Sequence, residues 1–347
     1  MSVMEKKEIT NELMNYRANI VQEDFDRLYW DQNRSRLHTD QEDQLHFWWQ
    51  AHALDYLLDG YERTGKQSYI HRFQEIYESL YSLNSQSFFN EFYDDMEWLA
   101  LALLRAYELT GHQEYLDSTH SLWSYIKLGW NEHQGGGIAW RTDTPEYKNT
   151  PANMPAAILS ARLHKLEGCE EDLEWACRLF DWEVKTLVDF QDGTVWDGIN
   201  RQGDGRIDGK NSNDSWLFSY CQGVFIGAAM ELYHLTGKTE YFGHAQRTAK
   251  RSMEILTNDQ GLLCEEGDGD GGLFRGIYLR YLSILNEETG EYSPFILKNA
   301  NTLWDIGRNK KQGYMGQKWD QCADSKTDLS LFLGGAFLME MAAKTVQ

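Results

Sequence analysis

The chain of 347 residues carries a formal net charge of −21 at pH 7, from 54 acidic and 33 basic residues with histidine neutral. This balance argues against a nucleic-acid-binding protein and against a protein that docks on anionic membranes, because both need a basic surface. We expect neither kind of partner, and we expect a monomer.

The N-terminal segment MSVMEKKEITNEL lacks the apolar run and the small-residue cleavage site of a secretory signal. No stretch of the sequence is apolar enough for long enough to cross a bilayer. We therefore expect a cytoplasmic protein. The five cysteines are an odd number without CxxC spacing, which is typical of reduced thiols rather than of a disulfide framework or a zinc site.

Five apolar segments end in a similar signature with a final glycine. Glycine just past a helix end supplies a left-handed cap, so each signature predicts the turn of a helical hairpin. In chain order the signatures are YERTG at Gly65, YELTG at Gly111, HKLEG at Gly168, YHLTG at Gly237 and NEETG at Gly290.

The two helices of each hairpin differ in composition. The segments before the glycines, such as MEWLALALLRAY and CQGVFIGAAMELY, are apolar on nearly all sides, which predicts buried helices. Their partners, such as FQEIYESLYSL and AQRTAKRSMEIL, keep a charged stripe. Six inner helices ringed by six outer ones predict an all-α (α/α)6 barrel, formed by residues 1–347 as a single domain.

Long connections lead into the inner helices and predict where function lies. They cover residues 127–150, 188–213, 257–273 and 308–327, whereas the connections at the glycine ends are short. Long structured loops gathered on one face usually carry function. We therefore expect the N-termini of the inner helices to line one pocket.

The adjacent carboxylates Asp94 and Asp95 open one inner segment, FYDDMEWLALALLRAYELTG. An aspartate at this place can simply cap the helix. In the predicted pocket, however, two close carboxylates repel, so one holds its proton to higher pH. One ionised and one protonated carboxyl group are what glycoside hydrolysis requires, and retaining enzymes hold them only about 5 Å apart.

With this pair the chain resembles glycoside hydrolase family 76, the endo-α-1,6-mannanase family of (α/α)6 barrels, whose hallmark is an Asp-Asp pair. WWQAHALDYLLDGYERTG, GGGIAWRTDTPEYKNTPANMPAAI, CQGVFIGAAMELYHLTG and CEEGDGDGGLFRGIYLRYL also resemble family segments, in the same order. The resemblance implies that Asp94 is the nucleophile and Asp95 the general acid/base of a retaining glycosidase. It implies a mannan-like oligosaccharide or polysaccharide substrate, with α-1,6 linkages expected.

Further substrate-binding candidates lie at inner-helix starts and in the long loops. Trp48, Trp140 and Trp216 are expected to stack on sugar faces, although tryptophan is also a common core residue. Arg141, Asn153 and Gln222 are expected to hydrogen-bond sugar hydroxyls, and loop bracing or helix capping is the alternative.

The acidic run Glu266-Gly-Asp268-Gly-Asp270-Gly places carboxylates at the alternating positions of an EF-hand loop. The twelfth position counted from Glu266 is Ile277, not the bidentate glutamate that such a loop needs. We therefore expect a glycine-rich bend that directs Asp268 and Asp270 into the pocket. No metal or other cofactor is expected, because hydrolysis by two carboxylates needs none.

Two alternatives to hydrolysis stay open at this point. A sugar 2-epimerase of the (α/α)6 type would use histidine bases, and His46 and His52 flank WWQ on the first inner helix, but a spacing of six residues does not place them on one helical face. A carbohydrate-binding or transglycosylating protein of the same fold is the second alternative. Transglycosylation and hydrolysis share one covalent intermediate and differ only in the acceptor.

Overall fold

The computed structural model describes residues 3–40, 42, 44–210 and 216–347, with side chains from residue 10 onward. None of the helices in these ranges is long and apolar enough to cross a membrane. Within them lie the α-helices α1 Val3–Tyr29, α2 Phe47–Thr64, α3 Gln67–Leu83, α4 Tyr93–Thr110, α5 Gln113–Ile126, α6 Met154–Glu167, α7 Glu170–Thr186, α8 Ser219–Thr236, α9 Thr239–Ile255, α10 Gly271–Thr289, α11 Ser293–Thr302 and α12 Leu329–Thr345.

Five short strands lie in the described parts of the connections. Strands β1 (Trp30–Asp31) and β2 (Arg36–Leu37) form an antiparallel pair. Strands β3 (Ala139–Arg141), β4 (Thr144–Asn149) and β5 (Gly198–Ile199) form a three-stranded sheet in that order. This sheet joins two of the predicted functional loops. The last residues of the predicted loop 188–213 lie outside the described residues.

The chain divides into two compact units. One comprises Met1–Gln86 with Leu256–Gln347, and the other comprises Ser87–Ile255. The sequence predicts that both units belong to a single domain, and this stays a prediction.

The unit Ser87–Ile255 alternates buried and half-exposed helices. Helix α6 packs on both α4 and α8, and these three helices pack on their partners α7, α5 and α9. Nearly every residue of α8 from Cys221 to Leu232 is buried, whereas α9 buries only Tyr241, Ala245, Thr248, Ala249 and Ser252. The inner and outer roles predicted from composition are therefore confirmed for these helices.

The unit formed by the two ends of the chain is centred on α12. This helix is buried at every position from Leu329 to Ala343 and contacts α1, α2, α10 and α11. Helix α2 packs in turn on its outer partner α3. The most apolar segment of the sequence thus forms the core of this unit, as its composition predicts.

The five predicted glycine turns all occur. Each glycine adopts φ between 67° and 73°, and its N–H donates to the carbonyl four residues earlier, as Gly65 does to Tyr61 over 2.7 Å. Threonine before the glycine adds to the cap: the Thr64 hydroxyl donates to the Gly60 carbonyl and accepts from the Lys66 N–H. These local contacts satisfy helix-end groups that would otherwise lack partners.

Candidate active site

The aspartate pair lies in the first turn of α4. The helix is capped by the extended residue Phe92, so Asp94 and Asp95 are its second and third residues and neither is the N-cap. Oδ1 of Asp94 accepts a hydrogen bond from the backbone N–H of Asp95 at 3.1 Å. The free N–H groups and the positive dipole end of a helix start favour negative charge at this place.

Each carboxylate of the pair has its own side-chain donor. Trp140, on strand β3, donates its indole N–H to Oδ2 of Asp94 at 3.2 Å. Asn90, in the turn before α4, donates its amide to Oδ2 of Asp95 at 2.7 Å. The two aspartates are therefore held by different elements, and the small sheet supplies the contact to Asp94.

Burial raises the pKa of the half-buried Asp94 carboxyl to about 7, and the negative charge of Asp197 adds to the rise. The hydrogen bonds from the Asp95 backbone and from Trp140 act in the opposite direction, because they stabilise the ionised form. A carboxyl group with a pKa near neutrality, beside a second carboxyl group, can exchange a proton at physiological pH.

Asp197 is a third carboxylate of this unit and is only 3% exposed. Its oxygens accept hydrogen bonds from the hydroxyls of Tyr220 at 3.0 Å and Tyr147 at 3.4 Å. Arg201 lies 3.7 Å from the same carboxylate. Burial nevertheless raises the pKa of Asp197, and the charge of Asp94 helps to raise the pKa of the Tyr220 hydroxyl.

Arg201 lies between the Asp197 carboxylate and the ring of Trp216. Its guanidinium lies over the Trp216 ring at 4.1 Å from the ring centroid and within 3.6 Å of Asp208. One face of the Trp216 ring is thus covered by the cation, and a sugar can stack only on the other. The indole of Trp140 is half-exposed and packs edge-on against Tyr147.

Two fully buried glutamates lie close to the aspartates. Glu97 follows Asp94 by three residues on α4, and neither of its carboxyl oxygens has a hydrogen-bond partner of normal geometry among the described residues. Burial raises the pKa of Glu97 well above its ordinary value. Glu183 accepts the Thr150 hydroxyl at 2.6 Å, and burial raises the pKa of Glu183 to about 8. Both carboxyl groups thus hold their protons to higher pH than an exposed glutamate does.

Asn153 and Gln222 brace the loops, which is the alternative to sugar binding that the sequence leaves open. Both are fully buried. Each pairs its amide with both backbone groups of one loop residue: Asn153 with Ile138 at 2.8 and 3.0 Å, and Gln222 with Val195 at 3.0 and 2.6 Å. Their amides are occupied by the protein itself, so the structure gives no support to the sugar-binding expectation.

Arg141 lies next to Trp140 but is engaged by acidic neighbours. Its guanidinium contacts Glu91 at 3.0 Å and Asp143 at 3.1 Å, and it lies over the Phe92 ring. All three partners are near the start of α4 or in the turn between β3 and β4. Arg141 remains partly exposed, and its predicted role stays a prediction.

The remaining candidates form a second group, in the unit that contains both chain ends. The indoles of Trp48 and Trp49 both donate to Oδ1 of Asp270, at 3.0 and 2.9 Å. Asp270 precedes α10 directly and Asp268 is exposed, while Gly267 and Gly269 adopt positive φ. The predicted glycine-rich bend is therefore present, and one of its carboxylates is tied to the start of α2.

The two histidines proposed for an epimerase are in different environments. The ring of His46 stacks on Trp49 with a centroid separation of 3.6 Å and pairs with Asp40. His52 is buried between Trp48 and Phe337, and burial lowers the pKa of His52 to about 3. Such a group binds protons too weakly to serve as an efficient base near pH 7.

Sequence analysis missed Asp197, Tyr220, Glu97 and Glu183. Asp197 and Tyr220 follow Asp94 by more than a hundred residues, and no local spacing links them. The one available signal for Asp197 is a carboxylate placed between apolar residues in the loop segment TVWDGI. Glu97 follows the aspartates at the spacing of a helix-capping motif, which hides its place in an otherwise apolar helix.

The chain is similar in sequence and in structure to known proteins. The sequence model of glycosyl hydrolase family 76 matches residues 14–342. An α-1,6-mannanase from Salegentibacter sp. is 39% identical, with a TM-score of 0.90 over 96% of this chain and 99% of that one. An inactive variant of that enzyme, with two consecutive aspartates changed to asparagine, has been solved in complex with α-1,6-mannotriose.

Two further relatives complete the comparison. A Listeria innocua protein of solved structure is 37% identical, with a TM-score of 0.90 over 95% of this chain and 97% of that one. The mannan endo-1,6-α-mannosidase DCW1 of Candida glabrata is 26% identical over 288 residues, which cover 74% of this chain and 62% of the relative. Together with the twelve helices of the described residues, these structural matches confirm the predicted all-α (α/α)6 fold.

Proposed function

Because the chain belongs to glycosyl hydrolase family 76, we propose that it is a glycosidase that hydrolyses α-1,6-mannosidic linkages through Asp94 and Asp95. The observation that carries the proposal is the aspartate pair at the start of α4, in which one carboxyl group has a pKa near 7. The α-1,6-mannanase relative, 39% identical over nearly its whole length, supports the choice of linkage.

In the first step Asp94 attacks the anomeric carbon and forms a mannosyl ester, while Asp95 transfers its proton to the departing glycosidic oxygen. In the second step Asp95 takes a proton from water, and the resulting hydroxide displaces Asp94. Two inversions at the same carbon give net retention of configuration. Atoms balance: one glycosidic bond and one water become two sugar hydroxyls.

The groups that contact Asp94 influence its ionisation state, on which both steps depend. A nucleophile must be ionised, whereas a pKa near 7 is the property of a general acid, so the pKa of Asp94 alone does not favour the nucleophile role. The indole of Trp140 and the Asp95 backbone N–H both donate to Asp94 and stabilise its ionised form. The assignment of roles follows the family resemblance, and the pH profile of the Trp140→Phe variant tests it.

Substrate contacts are proposed for the accessible candidates in each unit. Trp140, Trp216 and Arg141 lie in the same unit as the aspartates, and Trp48, Asp268 and Asp270 lie in the other. Aromatic faces suit the apolar faces of sugar rings, and carboxylates suit their hydroxyls. The cytoplasmic location, the monomeric state and the absence of nucleic-acid partners stay predictions.

The proposal is tested with purified protein and mannobioses of α-1,2, α-1,3 and α-1,6 linkage, together with longer α-1,6-mannooligosaccharides. Chromatography of the products should show cleavage of the α-1,6 compounds only, and no cleavage by Asp94→Asn or Asp95→Asn. Release of mannose from α-1,2 or α-1,3 substrates at equal rates would refute the linkage. If the oligosaccharides instead grow longer, the chain is a transglycosylase.

A further inference from the structure

Arg201 lies in a short hairpin, residues 198–208, which is closed by a bridge between Ile199 and Ile207. Its side chain reaches out of the hairpin, and Nη2 donates to the hydroxyl of Tyr147 at 3.3 Å. Tyr147 belongs to strand β4, so the arginine adds a side-chain contact between the hairpin and the three-stranded sheet. The mechanism proposed above gives Arg201 no part.

Two routes lead from Arg201 to Asp94. In the first, the Tyr147 ring packs edge-on against Trp140 with 5.7 Å between the ring centroids, and Trp140 donates its indole N–H to Asp94. In the second, the guanidinium lies 3.7 Å from the carboxylate of Asp197. Burial is the main cause of the raised pKa of Asp94, and the negative charge of Asp197 adds to it. Arg201 can therefore act on Asp94 through a neighbouring charge.

The buried carboxylate of Asp197 is surrounded by neutral donors apart from Arg201. The Tyr220 hydroxyl donates at 3.0 Å, the Cys221 thiol at 3.5 Å and the Tyr147 hydroxyl at 3.4 Å. Burial disfavours the ionised form and raises the pKa of Asp197, whereas the Tyr220 hydrogen bond and the charge of Arg201 lower it. The guanidinium thus supplies the positive charge that favours an ionised Asp197.

The other titratable groups around the two aspartates are acids. Those that face Asp197 are Tyr147 on β4, Asp94 on α4, Glu183 on α7, Tyr220 and Cys221 on α8, and Asp208 in the hairpin. Those that face Asp94 are Asp95, Glu97, Asp197 and Tyr220. Each of these groups is neutral or negative, so none can replace the positive charge of Arg201 beside Asp197.

We propose that Arg201 is a positioning residue, which keeps Asp197 ionised and thereby sets the pH at which Asp94 loses its proton. The consequence for catalysis rests on the proposed glycosidase function, whereas the effect on Asp94 does not. The direction of the effect is distinctive, because removal of a cation near a carboxyl group ordinarily raises the pKa of that group. Loss of Arg201 should instead lower the pKa of Asp94, since Asp197 then holds its own proton and repels the Asp94 carboxylate less.

Four variants separate charge from structure. Arg201→Gln removes the charge but keeps amide donors for Tyr147, and Arg201→Lys keeps the charge. Asp197→Asn removes the carboxylate through which the arginine is proposed to act. Arg206→Gln is the matched control, because Arg206 lies in the same hairpin with 86% of its side chain exposed and pairs with Asp204 at 3.5 Å.

Urea unfolding measures the ionisation of Asp94 without a substrate. The free energy of unfolding of each protein is compared, from pH 5 to pH 9, with that of the same protein carrying Asp94→Asn. The difference should change with pH below the pKa of folded Asp94 and become constant above it, which for the wild type means near pH 7. The pH profile of kcat/KM for α-1,6-mannotriose is recorded in parallel, and the limb that Asp94 governs should move with this point. If mannotriose is not cleaved, the proposed function fails, but the unfolding comparison still tests the role of Arg201.

We expect the point at which the difference becomes constant to move by about 0.5–1 pH unit to lower pH in Arg201→Gln and in Asp197→Asn, as for the loss of one nearby charge. Arg201→Lys should move it less than Arg201→Gln does, and Arg206→Gln should leave it in place. The double variant Arg201→Gln/Asp197→Asn should match Asp197→Asn alone, because the arginine acts through that carboxylate.

A move to higher pH in Arg201→Gln would overturn the proposal, since the arginine would then act on Asp94 directly. A stability that falls equally at every pH, with the point unmoved, would show that Arg201 only braces the hairpin. Shifts that add in the double variant would make the two residues independent. An unmoved point in Asp197→Asn would also contradict the proposal, and this test applies even if the Arg201 variants fail to fold.

Discussion

The indole N–H of Trp140 donates a hydrogen bond to Oδ2 of Asp94 over 3.2 Å, and this contact ties the three-stranded sheet to the start of α4. This hydrogen bond stabilises the ionised carboxylate and therefore lowers the pKa of Asp94. Burial has the opposite and larger effect, and it raises the pKa to about 7.

Trp140→Phe should move one limb of the pH profile of kcat/KM. Without the indole donor the pKa of Asp94 rises further. If Asp94 is the nucleophile it must be ionised, so the acidic limb, expected near pH 7, moves to higher pH. If Asp94 is instead the general acid, the alkaline limb moves. Trp175→Phe, which removes a similar indole contact to Glu171 on an outer helix, should leave both limbs in place.

Asp94→Asn should increase the free energy of unfolding at neutral and alkaline pH. The pKa of Asp94 is about 7 in the folded protein and about 3.9 in the unfolded chain, so the folded state binds more protons between these values. The Asp94 carboxyl group makes its full contribution to the free energy of unfolding below about pH 4, and this contribution is lost as the pH rises through 7. Urea unfolding at pH 5 and pH 8 should therefore show a benefit of the variant at pH 8 that shrinks at pH 5.

The control for this comparison is Asp117→Asn, at an exposed position of α5. We expect it to change stability equally at the two pH values. If Asp94→Asn is less stable than the wild type at pH 8, then the ionised Asp94 carboxylate stabilises the folded protein instead of destabilising it.

Glu183→Gln should increase the thermal stability of the protein at alkaline pH. Burial raises the pKa of Glu183 to about 8, above the unfolded value near 4.3. Its stabilising contribution is thus lost as the pH rises through 8, when a charge forms in a fully buried site. Thermal unfolding should show the variant more stable than the wild type at pH 9, with the advantage smaller at pH 7. Equal pH dependence of the two proteins would mean that Glu183 does not ionise in this range.

Asn153→Ala should destabilise the protein without a specific effect on substrate binding. The change leaves the buried N–H and carbonyl of Ile138 and the carbonyl of Asn149 without their partner. A loss of about 2–4 kcal/mol in urea unfolding is expected. KM for an oligosaccharide should stay near the wild-type value in the folded fraction. Unchanged stability with a large rise in KM would instead support the predicted sugar-binding role.

The sequence predicts features that depend on neighbours in the chain. The five glycine turns follow from residues within one helical turn, and the helix partners follow from composition, so both agree with the structure. The strands of the β3–β5 sheet are only two to six residues long and are set by pairing between distant loops. No periodicity in the sequence marks them.

The site illustrates the same limit. Asp94 and Asp95 are adjacent and are marked by a motif, whereas Asp197 comes from a loop far along the chain, where the Tyr220 hydroxyl donates to it and its charge raises the pKa of Asp94. Asn153 shows a different limit, because an amide that binds a sugar and an amide that binds a backbone have the same sequence signature. Only the contacts to Ile138 distinguish them.

The covalent intermediate on Asp94 tests the account most directly. Asp95→Ala removes the base that activates water, so an aryl α-mannoside, whose phenolate leaves without a general acid, should load the enzyme faster than water releases it. Mass spectrometry of the digested protein should find one mannosyl group on the peptide that carries Asp94, and azide should release it as the α-mannosyl azide. A modified peptide that lacks Asp94, or an azide product of inverted configuration, would contradict the assignment of Asp94 as the nucleophile.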